Sequence, residues 1–138
     1  MSATMSLALI ATLAFGGQPV PSGRIAEACS GTETVQIGTQ PAKTVPYAIT
    51  FSADLAGKRY CYDACGKDQT YPISDPLSQP IKLADLDRGN QVRRITFDPA
   101  TATLSDYQVF DAGLGKVTRQ ALGTCKPAEF HAPWTSPQ

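Results

Sequence analysis

The sequence has little of what common catalytic sites require. It holds a single histidine, His131, in a proline-rich stretch "EFHAPWTSPQ". A Ser-His-Asp or Cys-His site needs a histidine in a rigid setting, and nothing around His131 supplies one. No G-x-S-x-G is present. Charge of one sign is also scarce: 12 Lys and Arg balance 12 Asp and Glu. The pairs Lys58-Arg59 and Arg93-Arg94 are isolated, so no broad positive field exists for nucleic acid or anionic lipid. No apolar run approaches the roughly 20 residues that span a bilayer as a helix. A long amphipathic helix, a repeat and a low-complexity tract are all missing. "GLGK" (Gly113 to Lys116) is too short for a phosphate loop and reads as a hairpin turn. "DLDRGN" (Asp85 to Asn90) opens like a calcium loop. Gly89 and Asn90 are then transposed and Thr96 stands where the bidentate Glu belongs, so it reads as a polar turn. Neither a metal nor a cofactor is expected.

What is present begins with "LALIATLAF", Leu7 to Phe15, an uncharged apolar run followed by "GGQPVPSG". Its length suits the core of a secretory signal, with Ala14 and Gly16 as small residues at a cleavage site. Residues 1–28 are therefore expected to be an export segment and linker, 29–127 a single β domain and 128–138 a flexible tail. "AEAC" before Cys29 makes a poor lipoprotein box, because Glu27 sits inside it and the apolar run ends well upstream.

Within the domain, apolar and polar residues alternate. In "YAITFSAD", Tyr47, Ile49, Phe51 and Ala53 share one face, which is the pattern of a half-buried strand. "LAGK" turns the chain into "RYCYDA", with Tyr60 and Tyr62 on one face and Cys61 on the other. "QVRRITFD" and "TLSDYQVF" form a second hairpin around Asp98-Pro99, where the carboxylate and the fixed proline φ favour a type I turn. The return strand mixes parities, since Leu104 and Phe110 oppose Tyr107 and Val109. A bulge near Ser105 is expected to reconcile them. Weaker strands are read in "ETVQIG", "QTYPIS", "PIKLA" and "GKVTRQALG", and one helical turn in "LADLDRG". The fold class is all-β, a small antiparallel barrel or sandwich of about eight short strands. Its expected core includes Ile49, Phe51, Ile95, Phe97, Val109 and Val117.

The four cysteines, Cys29, Cys61, Cys65 and Cys125, form an even set in a chain that carries an export-like segment. Two disulfides are the leading reading. A redox pair wants C-x-x-C at a helix start, and zinc wants paired short spacings; C-x3-C beside a strand offers neither. On a straight strand Cys61 and Cys65 stand about 13 Å apart, too far to bridge. They join only if "YDAC" turns, which Asp63 and Gly66 permit, and Cys29 then pairs with Cys125. This pairing is favoured, with the other two left open.

Two surface resources remain. Asp63, Asp68, Asp98, Asp106 and Asp111 have the chemistry of paired carboxylates, although such dyads leave no spacing signature. Tyr60, Tyr62 and Tyr71 cluster near the cysteines and offer apolar bodies with polar tips, suited to a binding surface or to packing between strands.

Together "CSGTE", "YAITFSADLAGKRYCYDAC", "ITFDPATATLSDYQVF" and "GTCKPAEF" resemble small exported bacterial proteins of uncharacterised function. The tyrosine-cysteine strand is similar to that of periplasmic lysozyme-inhibitor barrels. The resemblance implies a periplasmic or secreted location and carries no catalytic residue over. The sequence thus favours an exported, disulfide-stapled, non-catalytic domain that binds a protein or small ligand or supports the envelope. A hydrolase inhibitor and a small carboxylate hydrolase are the alternatives.

Overall fold

The computed structural model describes residues 23–113 and 115–136. The expected export run, Leu7 to Phe15, lies outside the described residues. Eight antiparallel strands follow one another as a meander: β1 (Arg24–Ile37), β2 (Lys43–Asp54), β3 (Arg59–Tyr62), β4 (Thr70–Pro72), β5 (Ile81–Asp87), β6 (Val92–Asp98), β7 (Thr103–Asp111) and β8 (Lys116–Pro127). Their order in the sheet is β4-β3-β2-β1-β8-β7-β6-β5, so the first and last strands pair and curl the sheet into a nearly closed barrel. β1 starts at Arg24, inside the stretch read as linker, because residues 24–28 pair with β2 and residues 27–28 with β8 as well: Ala28 lies opposite Thr50 and Lys126.

Closure depends on the β1–β8 pair. Cys29 and Cys125 face each other directly and are bonded, tying strands 96 residues apart in sequence. Cross-linking a loop near 100 residues removes unfolded-state freedom equivalent to about 4.7 kcal/mol in the chain-entropy model. Two steps along, Gly31 faces Gly123. A Cβ on Gly31 would run into the Leu122 carbonyl and come within 2.9 Å of Gly123 Cα, so the two backbones approach where only glycine fits.

The core fills one end of the barrel. Phe51 meets Phe97 edge-on, with ring centroids 5.4 Å apart. Ile25, Ala53, Ile73, Ile81, Leu83, Ile95, Leu104 and the Cys29–Cys125 bridge close around them. Each of these strands contributes alternate residues, as the period of a strand requires. Ile49 is only partly buried against this cluster, while Val109 and Val117 are buried apart from it.

Three expectations are corrected. β7 pairs β6 and β8 in unbroken register, with no bulge at Ser105, because Val109 and Val92 are partners on the face opposite Leu104. The irregularity falls in β5, between Lys82 and Ala84. "LADLDRG" is mostly β5 strand rather than a helical turn. Finally, residues 128–134, read as part of a flexible tail, are held against the sheet. Ala128 N donates to Ala26 O (2.9 Å), His131 N to Ser52 Oγ (3.0 Å) and Trp134 N to Thr70 Oγ1 (3.1 Å). Arg59 Nη1 donates to Trp134 O (2.9 Å), and Arg24 and Lys67 lie over the Phe130 and Trp134 rings. Ala26, Ser52, Cys61 and Thr70 form one register row across β1–β4, so outward hydroxyls receive the strap's amides.

The strap covers Cys61 and Ser52, both buried on this outer row. Removing residues 128–138 is therefore expected to make Cys61–Cys65 reducible by dithiothreitol at least tenfold faster, with Cys29–Cys125 unchanged. Mass mapping of alkylated peptides over time reads this. Equal rates in the full and shortened chains would show that the strap does not shield the bridge.

Candidate functional site

The barrel wall is uneven. β1, β2 and β8 run 14, 12 and 12 residues, whereas β3 and β4 run 4 and 3. β3 stops at Tyr62 because the chain turns into the Cys61–Cys65 loop, with Asp63 and Cys65 in the left-handed region (φ 50° and 60°). β4 stops at Pro72, which cannot donate to a ladder. Beyond β4, the segment at Ser74 and Asp75 pairs with β5 through its backbone: Ser74 N donates to Leu83 O (3.0 Å) and Asp75 N to Lys82 O (2.9 Å). The sheet is thus pinned at one end of the β4–β5 seam and open at the other.

A cleft of about 580 Å³ occupies the opening. Tyr60, Tyr62, Tyr71, Pro72 and Ile73 line one side, and Ala84, Leu86, Gln91, Arg93 and Gln108 are among those lining the other. The tyrosines form a compact group, with centroids 5.4 Å apart for Tyr60–Tyr62, 5.7 Å for Tyr60–Tyr71 and 5.8 Å for Tyr62–Tyr71. The register causes this: Tyr60 lies opposite Tyr71 on β4, and Tyr62 is two residues along the same face. Tyr60 is buried, Tyr62 half-buried, and Tyr71 is 43% exposed at the mouth. The Tyr71 hydroxyl donates to Asp68 O (3.3 Å), anchoring the ring on the edge of the opening.

Behind the cleft, at the end of the barrel away from the apolar core, lies a charged network. Arg93 donates to Asp106 through Nε (3.0 Å) and Nη2 (3.1 Å), and Tyr47 Oη donates to Asp106 Oδ2 (2.9 Å). Arg119 donates to Glu33 through Nε (2.8 Å), with Nη2 in ion-pair contact with the same carboxylate (2.7 Å), and through Nη1 to Gln108 (3.4 Å). Asp106 and Glu33 are buried. Such pairs are tolerable inside only when their remaining hydrogen bonds are met. No buried side-chain nitrogen or oxygen among the described residues lacks a partner. Burial is the largest single influence on Arg93 and opposes its charge, but the Asp106 carboxylate, with Tyr62 and Tyr60, together outweighs it and holds the guanidinium pKa above its ordinary value. Tyr47 belongs to β2, opposite Gly31, and the Gly31–Gly123 row leaves space for its ring to cross toward β7.

Of the sequence-read residues, the three tyrosines come together at one cleft. The four cysteines stand outside it, as Cys29–Cys125 and Cys61–Cys65 bridges. The aspartates serve separate local roles: Asp98 accepts Ala100 N (3.0 Å), Asp111 accepts Gly113 N (2.8 Å), and Asp106 belongs to the Arg93 network. Glu33, Arg93, Gln108 and Arg119 were not foreseen as a group. The signal for them is a charge at core parity: Arg93 shares its face with Ile95 and Phe97, and Asp106 shares its face with Leu104.

Burial raises the hydroxyl pKa of Tyr47, Tyr60 and Tyr62, with neighbouring Asp106 adding to the effect at Tyr47. The unfolded chain ionises its tyrosines near pH 10, while the folded chain keeps these three protonated to higher pH. Their contribution to stability is complete below about pH 10 and is lost as pH rises above it. The expected slope is about 1.4 kcal/mol per pH unit for each of Tyr47 and Tyr62, or about 2.8 for the two, with Tyr60 adding in the same direction. Denaturant midpoints from pH 9 to 12 measure it, and Tyr62→Phe should remove a large part of the slope. A flat profile would contradict the burial of these hydroxyls.

Comparison with known protein families, curated proteins and solved structures finds no match.

Proposed function

We propose that the chain is an exported, non-catalytic binding domain whose ligand enters the cleft at the β4–β5 seam. One observation carries this reading: three tyrosines and Arg93 converge on the place where the barrel wall is open. Open, partly apolar concavities with a few placed polar groups are the usual form of small-ligand sites, and about 580 Å³ falls within their common range of roughly 300–1,000 Å³. Two disulfides and the apolar run at Leu7 to Phe15 support an oxidising, extracytoplasmic location. No helix among the described residues is long and apolar enough to cross a membrane.

A library of small molecules and glycans, screened by saturation-transfer NMR, tests the site. Hits are expected to disappear in Leu86→Trp, which fills the cleft from β5, and to survive in Thr118→Trp on β8, away from the cleft lining. Hits that persist in Leu86→Trp, or a library without hits, would contradict the proposal.

A second reading, inhibition of a periplasmic hydrolase, is favoured by a different feature. Leu77 is 88% exposed at the tip of the loop between β4 and β5. The loop is braced from within: Leu77 N donates to Asp75 Oδ1 (3.0 Å), Ser78 Oγ to Pro80 O (2.8 Å) and Lys82 N to Ser78 Oγ (3.1 Å). A braced loop presenting one leucine suits insertion into a partner's groove. On this reading Leu77→Asp abolishes a complex with lysozyme or another periplasmic hydrolase. The absence of any such complex with the unaltered chain would end the inhibitor reading. The carboxylate-hydrolase alternative gains no comparable support, because Asp98, Asp106 and Asp111 each spend an oxygen on a local partner.

A further inference from the structure

We infer that the ligand class of the seam cleft is a short oligosaccharide, held by its sugar-ring faces on the tyrosines and by its hydroxyls on the facing polar side chains. The inference rests on the reading of the seam as a binding site and names what occupies it.

Three other ligand classes fit the geometry poorly. An acyl chain needs an empty apolar lumen, but Phe51, Phe97, Ile95 and Leu104 fill the apolar end. The other end holds the Arg93–Asp106 and Arg119–Glu33 pairs. An added peptide strand needs a row of unpaired backbone donors and acceptors. Here Pro72 deletes a donor on the β4 side and the irregularity between Lys82 and Ala84 breaks the β5 side, both of which blunt an edge. A phosphate ligand is held by converging positive charge; of the two lining arginines Arg93 gives Nε and Nη2 to Asp106, so Arg88 alone is left, with the Asp85 carboxylate also in the lining.

What remains available is side-chain chemistry of two kinds on facing walls. On one side the Tyr71 ring stands 43% exposed, backed by Tyr60 and Tyr62 and fixed by its own hydroxyl bond to Asp68 O. An aromatic face of this kind accepts the C–H surface of a pyranose, since the ring presents its negative π-face to weakly positive C–H groups. Across from it stand Gln108 and Gln91, planar amides that donate and accept in fixed directions and match the paired hydroxyls of a sugar, with Arg93 beside them bringing only the Nη1 donors that its bonds to Asp106 do not use. The cleft is open at the seam, so a chain of sugars passes through without threading its end.

Calorimetric titration of the full chain with triacetylchitotriose, with cellotriose and with an extended Thr-Val hexapeptide tests this. At least one saccharide is expected to bind. Tyr71→Ser should weaken it about tenfold, the loss of one aromatic stacking contact. Gln91→Ala should weaken it severalfold, and Leu86→Trp should abolish binding. Gln91 is exposed, so an unchanged unfolding midpoint is expected for Gln91→Ala. Tyr71→Ser gives up ring contacts with Tyr60 and Tyr62, so its midpoint should fall modestly and its titration is run well below it. If the peptide binds, is blocked by Leu86→Trp, and neither saccharide titrates, the oligosaccharide assignment is overturned while the seam remains a binding site. Saccharide binding that ignores both Tyr71→Ser and Leu86→Trp also overturns the assignment. If none of the three titrates and no library hit maps to the cleft, both readings fall.

Discussion

Gly31→Ala should cost about 3 kcal/mol or more and leave little closed barrel. The added methyl meets the Leu122 carbonyl and the Gly123 Cα, which are backbone atoms and cannot rotate aside. Only a separation of β1 from β8 relieves the contact. That separation loosens the pair that closes the meander and pulls against the Cys29–Cys125 bridge two residues away. Gly123→Ala is the natural control. Its Cβ would meet Ser30 O at 3.3 Å and Cys29 Cβ at 3.5 Å, tight but close to ordinary contact, so a loss below about 1 kcal/mol is expected. Denaturant unfolding of the two variants reads the difference. Equal losses would mean that β1 and β8 do not approach asymmetrically at this pair.

Asp106→Ala should cost about 3–5 kcal/mol, the range for removing one partner of a buried ion pair. Asp106 is 8% exposed and receives three hydrogen bonds, two from Arg93 and one from Tyr47. Its loss strands a guanidinium and a hydroxyl at once, and leaves Arg93 free to swing into the cleft. Arg93→Met with Asp106→Leu should recover much of the loss, because matched apolar replacements of a buried pair leave no unpaired charge. A double variant no more stable than Asp106→Ala alone would assign the loss to packing rather than to the stranded charge. Thermal unfolding of the four combinations settles the pair's coupling.

The fold was largely legible because strand alternation is a local signal. Tyr47 to Asp54, and the hairpin around Asp98-Pro99, show their faces directly, and both lie in the strands and the turn where expected. Mixed parity was a less certain guide. "TLSDYQVF" and "IKLADL" both carry apolar residues on two faces. In β7 the second face is covered at Val109, while in β5 the mixture marks a real irregularity after Lys82. Coverage comes from distant residues, which no local pattern reveals. The strap at 128–136 escaped for a related reason. Its hold comes from Ser52 and Thr70, hydroxyls that read as ordinary outward positions until the chain end is placed beside them. The tyrosine group was visible as composition, but the cleft is a product of closure. It needs β3 cut short by the Cys61–Cys65 loop, β4 cut short at Pro72, and β5 brought round through six intervening strands. The inward charges at Glu33, Arg93, Asp106 and Arg119 broke the alternation openly, and a buried network is what that break meant.

Aromatic-ring NMR of the five tyrosines tests most directly the proposed seating of ligand against the tyrosines at the open seam. With triacetylchitotriose added to the full chain, the ring protons of Tyr60, Tyr62 and Tyr71 should shift, Tyr71 most. Tyr107, which is not among the cleft residues, should stay where it is. Shifts confined to Tyr107, or five tyrosines that do not move with triacetylchitotriose or with any library hit, would contradict the account.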